Sequence, residues 1–154
     1  MPPKPMTPRP FALRKSAIAG RGAFATRKIP KGACIIEYRG ERIGQDEADR
    51  RYPEEEGKPH HTFLFTLDDE TVVDAAVKGN AARFLNHSCD PNCEAVIEDE
   101  RIWIHALRDI APGTELVYDY QFILDEPHTP AAKRRYPCRC GARNCRGTIL
   151  AKKR

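Results

Sequence analysis

The chain is predicted to be a mostly-β domain with short helices, on three grounds. Short alternating or β-branched segments recur along it, each bounded by turn-forming residues. Only Gln45–Tyr52 carries helical signals of its own. The 154 residues provide for one domain with one core rather than two. Many short strands with little helix are the pattern of a mostly-β fold.

The elements follow in chain order. Residues 1–10 are Pro-rich and are expected to form a flexible, extended lead-in. Prolines stand where an export signal would need an apolar helix, so no export signal is read there. Phe11–Arg14 is a first short strand. Gly20 and Gly22 come next, and such a pair lets the backbone turn tightly and approach a ligand closely. A G-x-G alone also fits a plain turn before a strand, and no Gly-Lys-Ser/Thr follows to make it a P-loop. Ile29-Pro-Lys-Gly32 reads as a turn, Ala33–Tyr38 as an Ile-rich strand, and Glu41–Ile43 as a continuation of that sheet. Gln45–Tyr52 has acids in its first turn, Arg50 and Arg51 in its last, and Pro53 as a stop. After a polar loop at Glu54–His61, Phe63–Leu67 and Thr71–Asp74 form strands around Asp68-Asp69-Glu70. Cys93–Ile97 and Arg101–Ala106 form a hairpin around Glu98-Asp99-Glu100, and Glu115–Tyr120 is the last strand.

Charge is partitioned strongly. Residues 1–31 hold eight Lys/Arg and residues 131–154 hold nine, and neither segment has an acid, so the middle of the chain carries about −13. Such charge runs fit plain solubility as well as they fit an acidic body that attracts a basic substrate, with basic arms able to lie along nucleic acid through weak, sequence-indifferent contacts. No base-reading helix or stacking motif accompanies Lys133-Arg-Arg135 or Lys152-Lys-Arg154, which ranks a dedicated nucleic-acid binder last. No apolar run reaches the length of a membrane span, so no membrane partner is expected.

Chemistry is densest at Asn80–Cys93, where Asn86, His87, Cys89, Asn92 and Cys93 crowd beside Phe84–Leu85. A second cluster, Cys138, Cys140 and Cys145, is one ligand short of a closed tetrahedral site. Without an export signal, metal ligation is a better reading of these cysteines than disulfides. On spacing alone either Cys89 or Cys93 completes the set. Cys34, in an Ile-rich strand, reads as a small buried hydrophobe.

The segment Arg83-Phe-Leu-Asn-His-Ser-Cys-Asp-Pro-Asn-Cys93 resembles the R-F-x-N-H-S-C-x-P-N-C pattern of SET-domain protein-lysine methyltransferases. The resemblance extends to Gly20-Arg-Gly22, to Lys31-Gly32 with Ile35–Glu41, to Leu67-Asp-Asp with Val73-Asp-Ala and Gly79-Asn80, and to Glu115-Leu-Val-Tyr-Asp-Tyr120. Cys138-Arg-Cys with Cys145 is similar to the family's post-SET tail. Together these cover residues 12–150.

That resemblance implies a SET fold of small curved sheets with a knot-like C-terminal threading, an exception to the rule against threaded chains, plus a post-SET zinc loop. It divides the chain into a flexible start (1–10), the SET domain (11–124), a linker (125–134), the post-SET zinc motif (135–151) and a basic tail (152–154). The implied activity is transfer of a methyl group from S-adenosyl-L-methionine to a lysine amine of a basic, histone-like tail. The amine must be neutral to attack, and a narrow apolar channel beside a positive sulfonium lowers its pKa. Alignment and exclusion of water supply the rest.

By the same resemblance Gly20, Arg21, Gly22, Arg83, Asn86 and His87 hold the cofactor, His87 through its backbone. Tyr120 is the catalytic tyrosine that orients amine and methyl, Tyr118 stands at the Phe/Tyr switch position, and Tyr38 lines the substrate. A tyrosine at the switch implies mono- or dimethyl-lysine as product. Phe63 and Phe65 line the channel, and Phe63 departs from the tyrosine that many relatives carry, which bears on channel polarity. One structural zinc is held by Cys89, Cys138, Cys140 and Cys145, with Cys93 left free, and pins the tail over the channel. The alternative is a catalytically weak SET-like binding module that recognises a basic segment, with Phe63 as its only support. Such a protein is expected inside the cell, in the nucleus or on the chromosome of a eukaryote or in the cytoplasm of a bacterium.

Overall fold

The computed structural model describes residues 3–18, 20–52, 63–68, 70–121 and 127–151. Strands β1 (Phe11–Lys15), β2 (Arg21–Ala25) and β3 (Cys34–Tyr38) come first, then β4 (Glu41–Gly44) and helix α1 (Gln45–Arg51). Strands β5 (Leu64–Thr66) and β6 (Thr71–Asp74) precede a 3-10 turn at Ala81–Phe84, the two-residue strand β7 (Asn86–His87), β8 (Cys93–Glu98) and β9 (Arg101–Ala106). β10 (Glu115–Tyr118) and helix α2 (Pro130–Arg135) complete the order.

The main sheet runs β1-β2-β10-β8-β9-β3, with β7 also on β10. β10 is its hub. It pairs antiparallel with β2 through Glu115 and Leu116, and parallel with β7 and β8 through Val117 and Tyr118. The β8–β9 hairpin turns through Asp99 and Glu100, both at positive φ (52° and 61°), the combination that matches the twist of two strands joined by a two-residue loop. The core under this sheet is built from Phe11, Ile29, Ile35, Leu85, Ile104, Ile110 and Leu116, each at most 2 % exposed. Apolar residues alternate in β9, and of these Ile104 and Ala106 join that core while Ile102 packs with Tyr38, Leu67 and Val73 in a second one.

Glu41–Gly44 departs from the expectation that it extends the β3 sheet. It belongs to a separate three-stranded sheet, β4-β6-β5. α1 packs on this sheet through Ala48, and Arg51 ties helix to strands by bonds to Glu41 (2.6 Å) and the fully buried Asp74 (3.1 Å). Tyr52 and the Ala76 N–H also donate to Asp74, which satisfies a carboxylate that burial would otherwise make costly.

Two further expectations change. The lead-in is docked rather than free: the Met6 N–H donates to the Cys34 carbonyl (3.0 Å), the Thr26 N–H to the Pro10 carbonyl, and Pro10 is fully buried. Residues 130–134 of the expected linker, together with Arg135, are helical. Thr129 caps them by accepting from the Ala132 N–H (3.1 Å), and Pro130 occupies the first turn, where its missing N–H costs nothing. The loop Glu54–His61, the stop at Pro53 and the tail 152–154 lie outside the described residues. Among described residues no helix is long and apolar enough to cross a membrane.

Candidate active site and metal centre

Parallel pairing of β7 with β10 sets the Asn-His pair beside the end of the last strand, and three groups of residues gather there. The first surrounds the glycine pair. Gly20 has φ +43°, a left-handed turn that glycine adopts without strain. Gly22 has no such backbone demand. Its requirement is space, because a Cβ there would lie 2.2 Å from Glu115 Oε2. That carboxylate accepts from Ser16 Oγ (2.9 Å) and from Asn86 Nδ2 (2.9 Å), and Asn86 Nδ2 also donates to the Arg21 carbonyl (3.1 Å). Backbone, amide and carboxylate thus converge on one spot, with negative charge suited to a cationic ligand. The Glu115–Ser16 pair was not foreseen, since no local pattern links residues so far apart in the chain.

The second group is aromatic. Tyr120 lies just past β10 and donates its hydroxyl to the Leu85 carbonyl (2.6 Å), one residue before Asn86. Its backbone N–H donates to His87 Nδ1 (3.0 Å), and its ring meets the His87 ring edge-on at 5.3 Å. Tyr118 is buried, with its ring 4.8 Å from that of Tyr120. Tyr38 is buried, bonds the Phe63 carbonyl (2.9 Å) and leans on Phe65 at 5.4 Å. Burial pushes all three phenols above the ordinary tyrosine value, reinforced at Tyr38 by Tyr120 and Asp74 and at Tyr118 by Tyr120 and Tyr38. None ionises near neutrality, so these hydroxyls orient and donate rather than act as bases. Arg83, expected at the cofactor, stacks its guanidinium on the Phe63 and Phe84 rings (5.4 and 4.7 Å) instead. Its described contacts are with the aromatic wall rather than with the Gly22–Asn86 cradle.

The third group is the cysteines. The Sγ atoms of Cys89, Cys138, Cys140 and Cys145 all lie within 4.8 Å of one another. Thiolates on a tetrahedral zinc at about 2.3 Å stand about 3.8 Å apart, and Cys89 and Cys138 are separated by 3.8 Å. Backbone N–H groups of Arg146 and Gly147 point at Cys89 (3.3 Å) and Cys145 (3.4 Å), as bonds to thiolates require. The donor set therefore fits zinc. Burial pushes the Cys138 thiol up, whereas at Cys140 burial is outweighed by backbone N–H and thiol hydrogen bonds that hold it down at about 6. Cys93 lies apart from the cluster, buried in β8 against Asn92, with burial pushing it up to about 12. Cys34 is buried at the start of β3.

The metal cluster and the tyrosines are physically joined. Arg146 makes a bidentate pair with Asp119 (2.7 and 3.1 Å), next to Tyr120. Ala132, Tyr136, Ile149 and Leu150 form a small core that packs on Tyr120 and Cys138. His87 is 4 % exposed, and burial lowers it to about 4, with Asp119 opposing and Arg146 adding to the shift, so its ring is neutral.

Comparison with known proteins decides the family. The SET-domain family model matches residues 20–121. The chain is 46 % identical over 136 residues to histone-lysine N-methyltransferase 2B of Homo sapiens, which covers 86 % of this chain and 5 % of the relative. It is 44 % identical over 146 residues to the H3 lysine-4 specific histone-lysine N-methyltransferase of Saccharomyces cerevisiae, covering 92 % of this chain and 13 % of that protein. The Drosophila melanogaster histone-lysine N-methyltransferase trr is 45 % identical over 139 residues, or 87 % of this chain and 6 % of the relative.

The chain belongs to the SET-domain family. It spans only a small part of the length of these curated relatives. SET methyltransferases use S-adenosylmethionine, and the cradle of Gly20, Gly22 and Asn86 has the open backbone and polar groups to hold it. A structural zinc fits the four cysteines. In this SET domain the Asn-His segment and Tyr120 adjoin despite the residues between them. The contact to Tyr120 is made by Leu85 and His87, while the Asn86 amide turns the other way, to Arg21 and Glu115.

Proposed function

We propose that this SET domain is an S-adenosylmethionine-dependent protein-lysine N-methyltransferase that acts on a basic, histone-like tail and yields mono- or dimethyl-lysine. The observation that carries the reading is the placement of Tyr120. Its hydroxyl is fixed 2.6 Å from the Leu85 carbonyl, at the threshold of the Asn86 cradle and within the Tyr38–Tyr118 aromatic group. Bound cofactor supplies the methyl group as an electrophilic sulfonium. Gly20, Arg21, Gly22, Asn86 and the His87 backbone hold it, with Glu115 adding a matching negative charge. Tyr38, Phe63 and Phe65 wall an apolar channel in which a lysine ammonium loses its solvation and hence its proton. Tyr120 then orients the neutral amine toward the methyl, and Tyr118 occupies space that a third methyl would need. Neutral phenols leave the proton to depart through water rather than to a tyrosinate.

The acidic middle of the chain favours a basic substrate, and relatives named H3 lysine-4 specific make histone H3 lysine 4 the first site to try. Residues 11–124 form the SET unit and 135–151 the zinc-bound tail that covers the channel. Exposed Lys133, Arg134 and Arg135 add a weak contact with nucleic acid, consistent with work at chromatin in a eukaryotic nucleus or at DNA in a bacterial cytoplasm. The test is mass spectrometry of core histones, a basic-protein extract and the protein itself after incubation with cofactor, beside Tyr120→Phe. Methyl-lysine that disappears in the variant, with cofactor affinity kept, supports the reading. Equal methylation by the variant overturns the role of Tyr120, and no methylation by zinc-loaded, cofactor-bound protein favours the binding module.

A further inference from the structure

We infer that the His87 side chain is a positioning residue that links the metal centre to the catalytic tyrosine, with one ring nitrogen on each. The claim that it acts through Tyr120 rests on the methyltransferase reading above. The contacts themselves do not. His87 Nδ1 lies 3.0 Å from the Tyr120 N–H and accepts from it. An acceptor nitrogen carries no hydrogen, so the ring hydrogen sits on Nε2. Nε2 is 3.4 Å from Cys89 Sγ, within reach of an N–H···S bond to the ligand atom. One rigid imidazole therefore fixes the distance between a zinc thiolate and the backbone of Tyr120.

A second strap runs in parallel. The Arg146 N–H donates to the same Cys89 sulfur (3.3 Å), and its guanidinium clamps Asp119, the residue before Tyr120. Both straps leave Cys89 and arrive at adjacent positions of the segment that carries the catalytic hydroxyl. Loss of metal then does more than free the tail. It releases the backbone on which Tyr120 is hung, while Asn86 keeps its own partners in β2 and β10. Metal loss is thus expected to affect methyl transfer far more than cofactor binding.

Two substitutions separate the ends of the strap. Asn carries its amide oxygen near the place of Nδ1, and Gln carries its amide nitrogen near the place of Nε2. His87→Asn keeps an acceptor for Tyr120 and loses the donor to Cys89. His87→Gln keeps a donor to Cys89 and loses the acceptor. Both are read in the full chain loaded with Co(II) in place of zinc, by the sulfur-to-cobalt charge-transfer band, and by hydrogen exchange of the Tyr120 amide. Loss of an N–H···S bond raises the energy of the sulfur electrons, so His87→Asn shifts the band to longer wavelength, weakens the metal by about 10- to 100-fold and keeps the Tyr120 amide protected. His87→Gln leaves the band in place, deprotects the Tyr120 amide, and lowers kcat about tenfold or more with cofactor affinity within about twofold. Variants that behave alike in band and exchange overturn the link, as does an unmoved band in His87→Asn. If wild-type protein methylates nothing, the methyltransferase reading fails, and band and exchange still decide whether the strap exists.

Discussion

Replacing Gly22 by alanine tests how the cofactor cradle is built. The new methyl would lie 2.2 Å from Glu115 Oε2 and 2.9 Å from its Cδ. An ordinary carbon–oxygen contact is about 3.3 Å or more, so the carboxylate must retreat by roughly 1 Å. Its bonds from Ser16 and Asn86, both 2.9 Å, do not survive that movement. A hydrogen bond to a charged group contributes about 1.5–3 kcal/mol, and Glu115 is partly exposed and regains water, so the lower figure applies to each. The Ser16 share is a loss of stability, about 3–6 °C in Tm for a domain of this size. The Asn86 share is a loss of alignment at the cofactor, about 1.5 kcal/mol or tenfold in Kd. Calorimetric titration with S-adenosylhomocysteine and thermal melts read the two shares separately. A Kd within twofold of wild type would refute the argument. So would full additivity in the Gly22→Ala, Glu115→Ala cycle, because without the carboxylate the methyl meets only Ser16 Cβ, at a milder 3.1 Å.

Other outcomes follow from the same geometry. Tyr118→Phe frees space and removes a buried hydroxyl next to Tyr120, so the product distribution moves toward trimethyl-lysine; spectra with no shift would remove Tyr118 from the switch role. Elemental analysis should find one zinc per chain, and chelation should reduce methyl transfer well over tenfold with cofactor Kd changed only a few-fold. Less than half a zinc in folded protein would count against the four-cysteine site. Glu37→Gln probes acid stability. At Glu37 burial alone would raise the carboxyl, but hydrogen bonds from Arg101 (2.7 and 2.9 Å) and Arg39 (2.9 Å) outweigh it and hold it below the usual carboxylate range. A depressed folded pKa contributes stability above the unfolded value of about 4.3, and that stability disappears as pH falls through the folded value. The variant should melt several degrees below wild type at pH 7, and the gap should close below about pH 4; a constant gap would mean the loss is packing rather than charge.

What was legible in the sequence was carried by local pattern and by ordered motifs. Alternation in Arg101–Ala106 marks a strand whatever its partner, and the β8–β9 hairpin follows from adjacency in the chain. The cysteines of the tail announce their missing fourth ligand by count. Partnership over long distances was not legible. Glu41–Gly44 reads as strand, yet nothing local says that it joins β6 rather than the sheet of β3. Met6 and Pro10 look like a loose lead-in until Cys34 at the start of β3 and Thr26 just past β2 give them partners. The α2 helix had its signal in Thr129-Pro130, a cap followed by a first-turn proline, but it is too short to show a period. Arg83, expected at the cofactor, spends its charge on two aromatic faces, because Phe63, from the turn before β5, meets it there.

The central place of β10 has a consequence for how the protein is made. Its neighbours β2, β7 and β8 are synthesised well before it, and each presents open backbone groups until Glu115–Tyr118 emerges and fills the gap. A ribosome that has not yet reached β10 therefore carries a chain whose small β4-β6-β5 sheet can close while its main sheet, and with it the lysine channel, is still unbuilt. The four cysteines wait longer still, since three of them follow β10 in the chain. Translation time becomes a window in which the open edges of the nascent chain are exposed to wrong partners, and a chaperone that holds those edges would serve this chain more than one that refolds it afterwards.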